Sequence, residues 1–176
     1  MSLRASLRAT ATAAGLVVAL AAIAAPQASA LEPGARAPGV EAEPLQPGAA
    51  RVSLERLRGR VVYVDFWASW CVPCRISMPA LDALARRHGE RGFTVVGVNK
   101  DASAADAERF LRRVPVGFSL VSDADDAIAG AFGVRAMPSG YLIDRRGVVR
   151  RVHRGFTAET AVALEREIAE LLEERP

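Results

Sequence analysis

The stretch from residue 61 to residue 79, VVYVDFWASWCVPCRISMP, constrains the fold more than any other part of this chain. Its first residues include the β-branched and aromatic residues that suit a strand buried on both faces: Val61, Val62, Val64 and Phe66. A helix is expected to begin at about Pro73, because the first residue of a helix needs no backbone N–H donor. The stretch therefore predicts a buried strand, a turn that carries two cysteines, and a helix.

The two cysteines, Cys71 and Cys74, are spaced for reversible disulfide chemistry. At a helix N-terminus, the free backbone N–H groups and the positive end of the helix dipole favour a thiolate, which is the attacking species in disulfide exchange. One helical turn brings the sulfur of Cys74 close enough to bond that of Cys71. Cys71 is therefore the expected nucleophile, and Cys74 is expected to resolve the mixed disulfide that it forms.

Two other uses of a C-x-x-C motif have less support in this sequence. Zinc usually takes four protein ligands, whereas the chain has only these two cysteines and two histidines. A purely structural disulfide would close a loop too short to constrain the unfolded chain much. Redox exchange is the favoured interpretation.

The motif also carries a family resemblance. The sequence VDFWASWCVPCR, followed by Pro79, resembles the active-site stretch of the thioredoxin superfamily. The segment VRAMPSGYLIDRRG, residues 134–147, is similar to the TlpA-like branch, an extracytoplasmic group that includes the ResA and CcmG/DsbE types. The resemblance covers about residues 36–176. It implies an α/β, thioredoxin-like fold: a mixed central β-sheet flanked by helices, with an N-terminal β-hairpin and a central insertion.

Asp65 is a candidate proton acceptor for Cys74. It lies on the predicted strand, six residues before Cys71, as the corresponding acid does in thioredoxin. A carboxyl group buried in an apolar strand is costly to ionise, so its pKa should be raised. An edge carboxylate that points to water is the simpler alternative. The lysine that thioredoxin places near this acid would fall at Gly97, so that partner is absent.

The resemblance also implies a substrate-docking surface around Pro138. The superfamily holds a cis peptide bond before this proline, opposite the two cysteines, where it leaves neighbouring backbone free to pair with an incoming peptide. An ordinary trans turn proline is the alternative. Trp67 is expected in the core and Trp70 at the surface. The surface is expected to be completed by Met137, Trp70, Val72 and Pro73.

Hydrophobic periodicity and capping residues predict the remaining elements. Strands are expected at residues 93–99, 118–121, 141–143 and 148–152. Helices are expected at residues 74–88, 103–113 and 123–132, with a last helix capped by Thr157. Strands that alternate with helices and end in a hairpin and a helix predict an α/β sandwich with a mixed sheet.

The first thirty residues have the features of a secretory signal peptide. Arg4 and Arg8 are basic, residues 9–25 are apolar, and residues 28–30 are small, which predicts cleavage before Leu31. Alternatively, residues 9–25 stay in place as a membrane anchor, although the run is short for a membrane span. Either way we expect a periplasmic or otherwise extracytoplasmic domain.

The rest of the chain is expected to hold one domain. Residues 31–50 are rich in Pro, Gly, Ala and Glu and predict a linker and irregular N-terminal segment, so residues 51–176 are the predicted thioredoxin-like domain. Loss of the two arginines with the signal would lower the formal net charge from +3 to +1. The basic composition therefore does not indicate a nucleic-acid partner.

These features predict an extracytoplasmic thiol-disulfide oxidoreductase whose only redox group is the Cys71–Cys74 pair, with no further cofactor and no metal. The resemblance implies a reductant of protein disulfides in cytochrome c maturation or copper-oxidase assembly. It would be a monomer, recycled by a membrane-bound electron donor. A copper-binding assembly module using Cys71, Cys74 and Met137 is one alternative, since thiolate and thioether ligands suit Cu(I). A disulfide-forming oxidant is the other.

Overall fold

The computed structural model describes residues 30–175. The strands are β1 (Glu41–Ala42), β2 (Val52–Ser53), β3 (Val61–Trp67), β4 (Phe93–Asn99), β5 (Ser119–Ser122), β6 (Ser139–Ile143) and β7 (Val149–Arg154). The helices are α1 (Cys74–His88), α2 (Ala104–Leu111), α3 (Ala127–Phe132) and α4 (Ala158–Glu173). The predicted signal peptide and possible anchor lie outside the described residues. None of the helices in residues 30–175 has the length and apolar character needed to cross a membrane.

The main sheet has five strands in the order β5-β4-β3-β6-β7. The pairs β3–β4 and β4–β5 are parallel, whereas β3–β6 and β6–β7 are antiparallel. The short strands β1 and β2 form a separate antiparallel pair. The mixed sheet and the N-terminal hairpin predicted from the resemblance are therefore confirmed, with β3 at the centre of the sheet.

Successive side chains of β3 point to opposite faces of the sheet, and each face packs against its own apolar cluster. The strand therefore carries apolar residues on both faces. Val61, Tyr63 and Trp67 share one cluster with the buried faces of α1, α2 and α4. Val62, Val64 and Phe66 belong to the other cluster, with α3 and the N-terminal hairpin. Both cysteines lie in the first cluster.

Residues 31–50 have little regular structure, yet they pack against the domain. Val40 and Leu45 are buried. The N–H of Ala37 donates to Gly147 O (3.0 Å), and the N–H of Leu45 donates to Leu120 O (2.8 Å). The Pro-rich and Gly-rich composition predicts a linker because irregular backbone has no hydrophobic period, but hydrogen bonds to the sheet hold this segment in place.

Capping residues explain where two helices begin. Thr157 accepts a hydrogen bond from the N–H of Thr160 and caps α4, as predicted. Helix α3 begins later than the predicted residue 123. The buried carboxylate of Asp123 accepts from the N–H groups of Ile128 and Ala129, both at 2.8 Å, so Asp123 caps the helix from outside it.

Candidate active site

The turn between β3 and α1 presents the two cysteines, which form a disulfide with Cα atoms 5.3 Å apart. Helix α1 starts at Cys74 with Pro73 as its N-cap, and its first turn holds no acidic residue. Cys71 is 4% exposed, whereas Cys74 is fully buried. Cys71 is therefore the less buried of the two residues, and attack by Cys71 with resolution by Cys74 stays a prediction.

A buried carboxylate holds the turn in place. Asp101, which follows β4, accepts hydrogen bonds from the N–H of Ser69 (3.0 Å), the hydroxyl of Ser69 (2.9 Å) and the side-chain amide of Asn99 (2.9 Å). Ser69 lies two residues before Cys71. Sequence reasoning did not identify Asp101, because its partner on the turn lies 32 residues away in the chain.

We expect Asp101→Ala to lower the free energy of unfolding by roughly 2–4 kcal/mol, because it leaves three buried or partly buried donors without their acceptor. Ser69→Ala is the matched control: it removes one donor and leaves Asp101 its other partners, so its cost should be about 1 kcal/mol. Urea unfolding of the oxidised proteins measures both values. Equal effects of the two substitutions would show that Asp101 does not organise the turn.

Asp65 lies at the centre of the sheet and is surrounded by buried residues. Its residue is 1% exposed, and neither carboxylate oxygen has a hydrogen bond within the described chain. Burial raises the pKa of Asp65 well above its ordinary value. By strand alternation its side chain lies on the same face as Tyr63 and Trp67, the face that holds Cys74. Asp65 therefore has the buried environment that the sequence predicts. The alternative, an edge carboxylate that points to water, is wrong.

The two residues opposite Asp65 in the neighbouring strands are both glycines, Gly97 in β4 and Gly140 in β6. A Cβ atom at residue 97 would lie 2.7 Å from Cδ2 of Leu120 and 3.0 Å from Cε2 of Phe118. The space that a lysine at this position would need is therefore filled by apolar side chains. A Cβ atom at residue 140 would collide with the Tyr63 ring in the same way.

Tyr63 connects this buried region to a polar pair on α4 and β7. Its hydroxyl lies 3.4 Å from Nδ1 of His153, whose Nε2 lies 3.1 Å from a carboxylate oxygen of Glu167. The pKa of Tyr63 is raised well above its ordinary value, mainly by burial and to a smaller extent by the negative charges of Asp65 and Glu167. Burial also lowers the pKa of His153. Tyr63 is therefore a neutral neighbour of Asp65.

The loop before β6 reaches the same end of the sheet as the cysteine turn. The Met137–Pro138 peptide bond is cis, as the resemblance predicts. Ser139, the next residue, pairs with Phe66 near the end of β3, so Pro138 lies level with the start of the turn. The carbonyl of Pro138 accepts a hydrogen bond from the N–H of Gly155 (2.8 Å), which fixes the loop against the end of β7.

Three large apolar side chains near Cys71 are exposed: Trp70 (66%), Val72 (69%) and Ile76 (64%). We call these three residues the apolar rim. Pro73 is exposed beside them, Met137 is half-buried, and Trp67 is fully buried. Sequence reasoning missed Ile76 as a surface residue, although its position four residues after Val72 places the two side chains on the same side of the turn.

A sequence profile of the Redoxin family matches residues 32–171. The chain is 31% identical over 111 residues to a protein named thiol-disulfide oxidoreductase ResA from Halalkalibacterium halodurans, an alignment that covers 63% of each protein. It is 30% identical over 112 residues to the ResA of Bacillus subtilis, covering 64% of this chain and 63% of that protein. The chain thus spans a little under two thirds of these relatives.

Solved structures show a longer match. A crystal structure from Chlorobium tepidum, described as a thiol:disulfide interchange protein DsbE, superposes with a TM-score of 0.77 at 39% identity. That match covers 81% of this chain and 99% of the other. The dsbF structure from MTB has a TM-score of 0.67 at 28% identity, and the match covers 75% of this chain and 94% of that one. Together with the cysteine turn and the mixed sheet, these matches show that the chain belongs to the Redoxin family, as a TlpA-like member of the thioredoxin superfamily.

Proposed function

We propose that this protein is a thiol-disulfide oxidoreductase that exchanges electrons with disulfides of other proteins. The observation that carries the proposal is the Cys71–Cys74 disulfide at the start of α1, in which Cys71 is slightly exposed and Cys74 is fully buried. The names of the ResA and DsbE relatives support the same chemistry. The apolar rim supplies a surface on which a polypeptide could lie.

The reaction consists of two thiol-disulfide exchange steps, in which the Cys71–Cys74 pair supplies both electrons. The thiolate of Cys71 attacks one sulfur of the substrate disulfide, a mixed disulfide forms, and the other substrate sulfur leaves as a thiolate that takes up a proton. Cys74 then loses its proton and attacks the sulfur of Cys71, which releases the second substrate sulfur. Two electrons pass to the substrate, and the protein ends with its internal disulfide. We assign Asp65 as the acceptor of the Cys74 proton.

We infer that electrons flow from this protein to its substrate. An oxidant needs an unusually stable thiolate, commonly helped by a polar residue between the cysteines, whereas Val72 and Pro73 offer neither charge nor a side-chain hydrogen bond. Asp65, when ionised, would oppose a nearby thiolate and so favour the disulfide form. Both effects lower the reduction potential.

The expected reduction potential is close to that of thioredoxin, about −270 mV, rather than to that of the oxidant DsbA, about −120 mV. Equilibration with glutathione buffers, followed by alkylation of free thiols, measures it. A potential near the DsbA value, or rapid oxidation of reduced unfolded proteins, would make this protein an oxidant.

Freshly reduced protein that held one equivalent of copper and exchanged no disulfides would instead support the copper-binding alternative.

We further propose an extracytoplasmic location, with residues 1–30 as the export signal and either cleavage before Leu31 or anchoring through residues 9–25. A reductant in an oxidising compartment must be kept reduced, so a membrane-bound electron donor is part of the proposal. It must also select its substrates, because a general reductant would break structural disulfides. Cytochrome c maturation and copper-oxidase assembly are the two pathways that the TlpA-like resemblance suggests.

A further inference from the structure

We propose that the protein recognises substrates by an acidic side chain near the reacting disulfide, bound in a basic cavity beside the cysteine turn. This inference rests on the proposed function and names its substrate class: polypeptides with Asp or Glu close to the cysteine that Cys71 attacks. The cavity has a volume of about 230 Å³. Its walls include Ser69, Arg75, Asp106, Arg109, Phe110 and Arg113.

Two residues of the cavity wall are close to the cysteines in the chain. Ser69 lies two residues before Cys71, and Arg75 directly follows Cys74 in the first turn of α1. The opposite wall is formed by α2 and the residues that follow it. A polypeptide whose cysteine is bonded to Cys71 would therefore place its neighbouring side chains, spaced about 3.3 Å per residue, within reach of the cavity.

The charges of the cavity do not cancel. Arg109 forms an ion pair with Asp106. The guanidinium groups of Arg75 and Arg113 form no ion pair with any carboxylate in residues 30–175. Among the residues that line the cavity, three positive groups against one negative group leave an excess of two positive charges, which favours an anion. Guanidinium groups bind carboxylates through paired hydrogen bonds, so a Glu or Asp side chain fits this chemistry.

The floor of the cavity is fixed in position. Phe110 is buried, and its ring packs on the fully buried Trp67 with centroids 5.2 Å apart. Ser69 is held by its hydrogen bonds to Asp101. The exposed arginine side chains therefore surround a wall that is itself well packed.

Three disulfide-linked peptides that differ only in the residue two positions from the cysteine, Glu, Gln or Lys, test the proposal. We expect the reduced protein to reduce the Glu peptide with a kcat/KM about five to ten times that of the Gln peptide, which is the preference that two partly exposed charge contacts would give. The Lys peptide should be reduced more slowly than either. The Glu and Gln peptides should differ mainly in KM and have similar kcat values. The preference for the Glu peptide should weaken when the ionic strength rises from 0.05 to 0.5 M.

Arg113→Gln, alone and together with Arg75→Gln, should bring the ratio between the Glu and Gln peptides towards one. Arg56→Gln is the matched control, because Arg56 is also exposed, forms no ion pair in the described part of the chain, and precedes β3 at the opposite end of the sheet. It should keep the preference of the unaltered protein. Circular dichroism checks that each variant is folded.

Two results would overturn the inference: equal kcat/KM values for the Glu and Gln peptides in the unaltered protein, or a preference that survives in the double variant. Failure of the proposed function is distinguishable from both, since none of the three peptides would then be reduced.

Discussion

Replacement of Cys71 by serine should lower the turnover of a protein disulfide by roughly 10³-fold or more, to the rate without protein. A serine hydroxyl is not ionised at neutral pH and cannot form the mixed disulfide, and Cys74 is fully buried, so it cannot substitute as the attacking group. A coupled assay with an excess of reductant and a disulfide-linked protein substrate measures the loss.

Cys74→Ser is the matched variant for this prediction. It keeps the Cys71 thiol, so the reduced variant, without added reductant, should release one equivalent of substrate thiol in a rapid first phase and then stop, because no second cysteine resolves the mixed disulfide. Both variants lose the internal disulfide, so they differ only in which sulfur remains. Turnover by Cys71→Ser together with an inert Cys74→Ser would reverse the two assigned roles.

Asp65→Asn should stabilise the oxidised protein, and the gain should grow with pH. Burial raises the pKa of Asp65 in the folded protein well above its unfolded value of about 3.9. Below about pH 4 the carboxyl is neutral in both states. Above it, the unfolded chain releases the proton while the folded chain retains it, so the unaltered protein loses stability as the pH rises towards the folded pKa. Asparagine has no proton to lose.

We therefore expect the stability of Asp65→Asn relative to the unaltered protein to rise steadily from pH 4 to pH 8, as measured by urea unfolding at several pH values. Asp123→Asn is the control, since this equally buried carboxylate accepts two backbone N–H bonds at the start of α3. It should destabilise the protein, because an amide group is a poorer acceptor for those donors. A pH-independent difference for Asp65→Asn would show that the carboxyl ionises normally.

Local sequence patterns predict the part of the site that lies within one continuous segment. The apolar run of β3, the spacing of Cys71 and Cys74, and the isolated acid at residue 65 each carry their signal within a few residues. Thr157 likewise has its capping partner three residues away. Such features depend on the helix and strand periods and on capping, which can be read without knowing the fold.

Features that join distant segments could not be predicted in the same way. Asp101 and the basic cavity depend on how the end of β4 and helix α2 lie against the cysteine turn. Residues 31–50 have no hydrophobic period, because irregular backbone does not repeat, so their buried Val40 and Leu45 gave no signal. The same limit applies to Asp123, whose role as a cap depends on a turn between it and α3.

The central claim is that Cys71 attacks and Cys74 resolves, and trapping of the mixed disulfide tests it most directly. Reduced Cys74→Ser protein is mixed with an excess of a disulfide-linked protein substrate, and the adduct is digested and analysed by mass spectrometry without reductant. The account predicts one substrate chain per protein, joined through the sulfur of Cys71, and no adduct with Cys71→Ser. An adduct formed by Cys71→Ser through Cys74, with none formed by Cys74→Ser, would contradict it.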